Sequence, residues 1–229
     1  MQSPLLLCTL VVVVLCTGLQ RAQAKLTPAQ EAAMLAAHNN ARATASPTPC
    51  TQLTNLTYSP ALARVAQAYS DRCIYEHNAN RTTDAGGAFR YVGENLYLSV
   101  SHSPASSDPV ASVTAWDSEK VDYDLATLVC TPGKMCGHYT QLVWNGTTQV
   151  GCGATMCKTA NLPGQNFNPT RFPHAYLVTC NYGVGGNFRG QSPYETCPQT
   201  GAAPGLHHES NAGSAIAMLV FLVCLFVNI

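Results

Sequence analysis

Charge is scarce in this chain. Of 229 residues only 10% are Asp, Glu, Lys or Arg, and 12 basic residues balance 12 acidic ones. Arg21 and Glu209 sit in the two terminal segments, so setting those aside leaves the balance unchanged. There is no basic run, which removes the electrostatic ground for nucleic acid or an anionic membrane surface as partner. A Walker loop, a dinucleotide fingerprint, a Gly-x-Ser-x-Gly elbow and a His-Glu-x-x-His pair are all missing. With them go the usual sequence grounds for nucleotide chemistry, serine acyl transfer and a zincin-type protease. No internal repeat is visible.

The two ends are apolar, but neither is long. Leu5 to Leu15 is followed by Ala22-Gln23-Ala24, the small-x-small pattern of a secretory signal over residues 1–24. That run is short of the ~20 residues a membrane span needs. At the other end Ala215 to Ile229 is apolar and no Lys or Arg follows it. As helix it would rise about 22 Å, short of a hydrocarbon core of about 30 Å. Small residues Gly201, Ala202 and Ala203 and a polar spacer from Pro204 to Ser214 precede it. This order describes a signal for GPI attachment at Gly201, with removal of the tail over 215–229 and an outcome on the outer face of the plasma membrane. Attachment near Ser210 to Ala212 would leave too short a spacer, and a short transmembrane anchor is the alternative. His207-His208 falls in the discarded part.

Residues 25–200 remain for one domain, long enough for a real core. Of the 11 cysteines, Cys8, Cys16 and Cys224 leave with the ends. Cys50, Cys73, Cys130, Cys136, Cys152, Cys157, Cys180 and Cys197 stay, an even set that points to four disulfides in an oxidising route. About a hundred connectivities are open to such a set. No Cys-x-x-Cys supports a zinc knuckle instead. Sequons at Asn55, Asn80 and Asn145 allow N-glycosylation, with Asn145 expected to be partly shielded behind Trp144; Pro169 excludes Asn168.

Local signals predict the elements. Thr27-Pro28-Ala29-Gln30 opens a helix with a capping box, which stops before Ser46-Pro47. Ser59-Pro60 starts a second, running to about Tyr75, and Pro109 a third over Val110 to about Val121. A short helix fits Gly137 to Val143. Val150 to Ala154 and Ala175 to Cys180 read as strands, Thr82 to Ala88 as a glycine-bearing loop, and Asn161 to Pro173 as a long surface loop.

Four ordered motifs carry a resemblance. Gly93-Glu94-Asn95-Leu96-Tyr97, Gly137-His138-Tyr139-Thr140-Gln141-Leu142-Val143-Trp144, Gly151-Cys152-Gly153 and Cys180-Asn181-Tyr182 with Gly186-Asn187-Phe188 resemble the CAP superfamily. That superfamily joins cysteine-rich secretory proteins, venom antigen 5 and plant pathogenesis-related proteins. The resemblance runs from about Ala29 to about Tyr194 and implies an α+β fold, a single α-β-α sandwich stabilised by disulfides. It implies the pairs Cys130–Cys136, Cys73–Cys157 and Cys152–Cys180, which leaves Cys50 and Cys197 for each other.

The resemblance also implies a cleft tetrad of His77, Glu94, Glu119 and His138, with Tyr139 and Gln141 as supporting groups. Asp117, Glu76 and Asp122 lie off the motif and read as solvated helix charges. Imidazole and carboxylate suit Zn²⁺ or another divalent cation with a position open for water. The alternative is a polar network that knits helices to sheet without metal. His38, beside Asn39 and Asn40, reads as a helix-packing or surface histidine rather than a ligand.

Three functions follow. The first is an extracellular, non-enzymatic binding module for a protein partner or a sterol or other lipid. Some relatives hold sterols through a loop near the first two helices, although Asn80 to Ala88 is polar here. A metal-dependent hydrolase using the tetrad is the second, and a structural surface glycoprotein the third. No activated Ser or Cys nucleophile stands out, which favours the non-enzymatic reading.

Overall fold

The computed structural model describes residues 25–103, 108–159, 165 and 167–197. The secretory signal, Gly201, His207-His208 and the C-terminal tail lie outside the described residues, as do positions 161–164 and 166 of the long loop. Helix α1 spans Pro28–Ala43 and begins as its sequence requires. The Thr27 hydroxyl accepts the Gln30 N–H at 3.3 Å, and the Gln30 side chain accepts the Thr27 N–H at 2.9 Å. Helix α2, Pro60–Ser70, is capped by Ser59 and ends earlier than the apolar stripe suggests, because Cys73 turns into the left-handed region at φ 54°. A single turn, α3, covers Arg81–Asp84 where a loop was expected. Helix α4 is Val110–Ser118; its last expected turn is a 3-10 turn over Glu119–Asp122. Helix α5 is Gly137–Leu142.

Four strands form the sheet: β1 (Thr57–Tyr58), β2 (Val92–Ser101), β5 (Gln149–Lys158) and β6 (His174–Gly183). Their order is β1-β5-β6-β2, with β1 parallel to β5 and the other pairs antiparallel. A small hairpin pairs β3 (Tyr123–Asp124) with β4 (Val129–Cys130). The two long central strands exceed the expected segments at both ends, and β2, an edge strand ten residues long, carries the Gly93-Glu94-Asn95 motif.

Helix α2 covers one face of the sheet, and α1, α4 and α5 the other. Strand alternation assigns the faces. Gly151 and Gly153 point at α2, where a Cβ would overlap the backbone of Ser59 and Ala63 and of Gln67. Between them Cys152 points the opposite way, toward α1. The Gly-Cys-Gly motif therefore lets a helix backbone approach one face while a disulfide sits on the other. That disulfide joins Cys152 to Cys180 directly across the ladder, Cα–Cα 4.1 Å. Cys73–Cys157 and Cys130–Cys136 are likewise pairs the family resemblance implies, and Cys50–Cys197, the pair left over, completes four.

The core beneath α1 holds Met34, Trp116, Tyr139, Leu142, Val178 and Tyr182. Arg42 is buried there, and its guanidinium donates to the carbonyls of Thr54, Leu142 and Trp144 at 2.9–3.0 Å. This stitches α1 to the chain leaving α5. Burial pulls the Arg42 pKa down to about 10, which leaves it a cation at neutral pH.

Candidate functional site

Strand β2 is the origin of the site. Successive residues on a strand face opposite ways, so Glu94 and Asn95 reach different sides of the sheet edge. Glu94 accepts from His77 Nδ1 and from the Asn78 backbone N–H through the same oxygen, Oε1, both at 2.9 Å. Its side chain is fully buried, and its second oxygen, Oε2, has no partner among the described residues. His77 itself is 61% exposed at the side chain, so a buried carboxylate aims a ring that solvent can reach.

The second pair lies over α4 and α5. Glu119 Oε1 accepts from His138 Nδ1 at 2.6 Å, and Oε2 accepts the backbone N–H groups of His138 and Tyr139, both at 3.1 Å. These are first-turn N–H groups of α5 with no partner inside the helix. The indole of Trp116 stacks on the His138 ring, centroids 6.0 Å apart and planes 22° apart, and is held by a bond from Nε1 to the Leu96 carbonyl. Both imidazoles thus spend Nδ1 on a carboxylate and keep Nε2 for something else.

Asn95 joins the second pair to the core. Its amide donates to the His138 carbonyl at 3.0 Å and to the Tyr182 hydroxyl at 3.1 Å. Tyr182 bonds His38 Nε2 at 3.0 Å, and His38 Nδ1 bonds the Met34 carbonyl at 2.7 Å. Because a carbonyl only accepts, the proton resides on Nδ1 and the neutral ring accepts from Tyr182 through Nε2. Burial, first, and then Arg42 lower the His38 pKa to about 4, against the opposing Met34 bond. His38 is therefore a packing histidine, fully buried and neutral. Tyr75, two residues before His77, has its pKa raised by burial and then by Glu119, which brings the first segment near the second pair.

The supporting residues take other places. The Tyr139 hydroxyl bonds Ser46 and Tyr194, and only its backbone N–H touches the tetrad. Gln141 bonds Thr147 and the Gly186 N–H, packed where Gly93 has no side chain. Asp117 pairs with Lys120 at 2.8 Å and buries its other oxygen without a partner, so it is not a freely solvated charge. Asp122 faces Lys134 at 4.0 Å, and Glu76 is exposed. Asn55, Asn80 and Asn145 are all exposed, and Asn145 is not shielded as expected.

Among the described residues one group of three brings ligand-type atoms within 4.8 Å of one another: His38, Cys152 and Cys180. Its sulfurs form a disulfide and both nitrogens of His38 are hydrogen-bonded, so it has no thiolate and no free lone pair to offer a cation. The tetrad atoms do not gather by threes at that distance. Asn95, Trp116 and Asn78 went unnoticed in the sequence as parts of the site. Alternation along β2 is the signal that would have found Asn95.

A family model described as the cysteine-rich secretory protein family, CAP, matches residues 35–182. The chain belongs to the CAP family. Among CAP relatives it is 36% identical over 166 residues to human GLIPR1-like protein 1, covering 70% of this chain and 62% of that protein. It is 31% identical over 187 residues to bovine peptidase inhibitor 16, covering 82% and 36%. The chain thus spans less than two thirds of the length of these CAP relatives, 62% of one and 36% of the other. The solved structure of Schistosoma mansoni venom allergen-like protein 4 has TM-score 0.55 at 26% identity over 76% of this chain and 97% of that one. A structure of NaASP2 with Zn²⁺ has TM-score 0.53 at 18% identity over 75% and 88%, and shares the fold.

Proposed function

We propose that this CAP domain is an extracellular, non-enzymatic binding module, with a divalent-cation site at His77 and His138. One observation carries the reading: each imidazole donates Nδ1–H to a carboxylate, which leaves Nε2 as the ligand lone pair. Carboxylate-held histidines are the usual arrangement around a metal. In this reading Glu94 and Glu119 orient the ligands rather than bind the ion. The cation would supply Lewis acidity or a rigid cross-link between the two pairs. Glu119 has both oxygens engaged, and the one unengaged oxygen of Glu94 lies under a side chain with no exposure, out of reach of an external substrate. That weighs against the hydrolase.

A groove of about 420 Å³ between α2 and the Asn78–Gly86 segment suits the second ligand. Ala61, Val65, Ala68 and Tyr69 give it apolar surface, and Arg64, Arg72 and Asp84 line it as well. Asn78 belongs to this groove and also holds Glu94, so ligand and tetrad share a residue. A sterol or other lipid, or an apolar segment of a protein partner, fits that lining. Four disulfides agree with a secretory route, and a GPI anchor at Gly201 would keep the module on the cell surface.

Calorimetry with zinc tests the cation site. Wild type is expected to bind, with affinity falling at acid pH because imidazolium cannot ligate, and the His77→Ala, His138→Ala double variant is expected to lose binding. Equal heats from both proteins would remove the site. Fluorescent sterol tests the groove: Val65→Glu is expected to abolish saturable binding that the double variant retains.

A further inference from the structure

Directly across the β2–β6 ladder from Glu94 stands Asn181. Residues paired in this way point to the same face, with Cβ atoms about 5 Å apart. Asn181 is completely buried, and neither its amide nitrogen nor its amide oxygen has a partner among the described residues. Glu94 Oε2 is in the same condition, under a side chain with no exposure. On the other side of Asn181 its ladder partner is Gly151, which brings no side chain. Three orphan polar atoms therefore belong to one register position, where no described residue bonds them.

A buried polar group left unpaired has given up its hydrogen bonds to water with no replacement, which is costly. Three in one place call for a partner from outside the chain. That partner must donate to a carboxylate and also accept from an amide, which a water molecule does and an apolar ligand cannot. Internal waters characteristically take two to four hydrogen bonds of this kind. A water also spans the gap that a direct Asn181–Glu94 bond does not close.

We propose that Glu94 and Asn181 enclose ordered internal water on the α2 face of the sheet, and that through it Asn181 is a positioning residue for the Glu94–His77 pair. Glu94 has one oxygen on His77 and Asn78; the water holds the other, so the carboxylate is fixed at both ends. The same alternation that sends Asn95 to His138 sends Glu94 to this site, and the Cys180-Asn181-Tyr182 motif serves both sides. Tyr182 bonds Asn95 on the α1 face, and Asn181 stands opposite Glu94 on the α2 face. The site stands on burial and register, and does not require that the tetrad bind a cation.

Two measurements on metal-free protein test it. In wild type, the Asn181 side-chain amide is expected to show a cross-peak to water in nuclear Overhauser spectra, with a water within hydrogen-bonding distance of Glu94 Oε2 in a high-resolution crystal structure. No cross-peak, together with a direct Asn181–Glu94 bond in the crystal, would overturn the proposal. In Asn181→Leu, nitrogen-15 shifts of the His77 ring are expected to move from the Nδ1–H form toward Nε2–H, while those of His138 stay in place. A folded Asn181→Leu protein with an unchanged His77 ring would remove the positioning role. Should that variant not fold, the wild-type spectra and crystal still decide.

Discussion

His38 has its charge state written into the atoms around it. One nitrogen donates to the Met34 carbonyl and the other accepts from Tyr182, so a second proton would displace the Tyr182 hydrogen and leave a charge buried. The folded protein keeps this ring neutral down to about pH 4, whereas the unfolded chain protonates it near 6.5. Between those values the unfolded state binds the extra proton, so stability falls as pH falls; above 6.5 the contribution is complete. The span corresponds to about 3 kcal/mol. Urea unfolding at pH 7 and pH 4 is expected to show the advantage of wild type over His38→Gln shrinking by about that amount. An advantage that stays constant would mean the ring titrates in the native state as it does in the unfolded one. Sequence placed His38 on a helix but gave no reason for its burial, since Tyr182 is 144 residues away.

At the level of elements, helix starts were the easiest to read. Thr27 with Gln30, and Ser59 before Pro60, satisfy backbone donors within one turn, so the information is local. Helix ends and strand lengths were harder. The Cys73 turn and the 3-10 turn at Glu119 answer to a distant cysteine and a distant histidine. The extents of β5 and β6 are set by their ladder partners, which no window of sequence contains. The four tetrad positions came from motifs alone; which nitrogen faces which carboxylate came only with the fold. The glycines of β5 lend themselves to a test, because the atoms facing Gly153 are the backbone of Gln67 and cannot swing aside. Gly153→Ala is expected to destabilise the protein by about 2–3 kcal/mol as α2 is forced outward. An unchanged urea midpoint would show that α2 floats on the sheet more loosely than described.

For the molecule as a whole, the cysteines decide how far the chain can come apart. Every cysteine from Cys50 to Cys197 is paired, so thiol titration of the denatured domain is expected to find no free group. One or more thiols per chain would break the assignment. The widest loop, 147 residues, is closed where Cys50 meets Cys197, and the Pro49–Thr196 bridge runs beside it. Viewed as mechanics, this bond is a strain-relief clip. A pull applied beyond Cys197 passes to Cys50 and into the start of the chain, so the sheet never comes under tension. Stretched between Lys25 and Cys197, the oxidised domain would lengthen to only about 90 Å, the reach of its first ~26 residues, against about 600 Å once reduced. The same bond leaves α1 outside the clip, so a pull on Lys25 would draw out His38 and Arg42 while the sheet and its β2 motif stay unloaded.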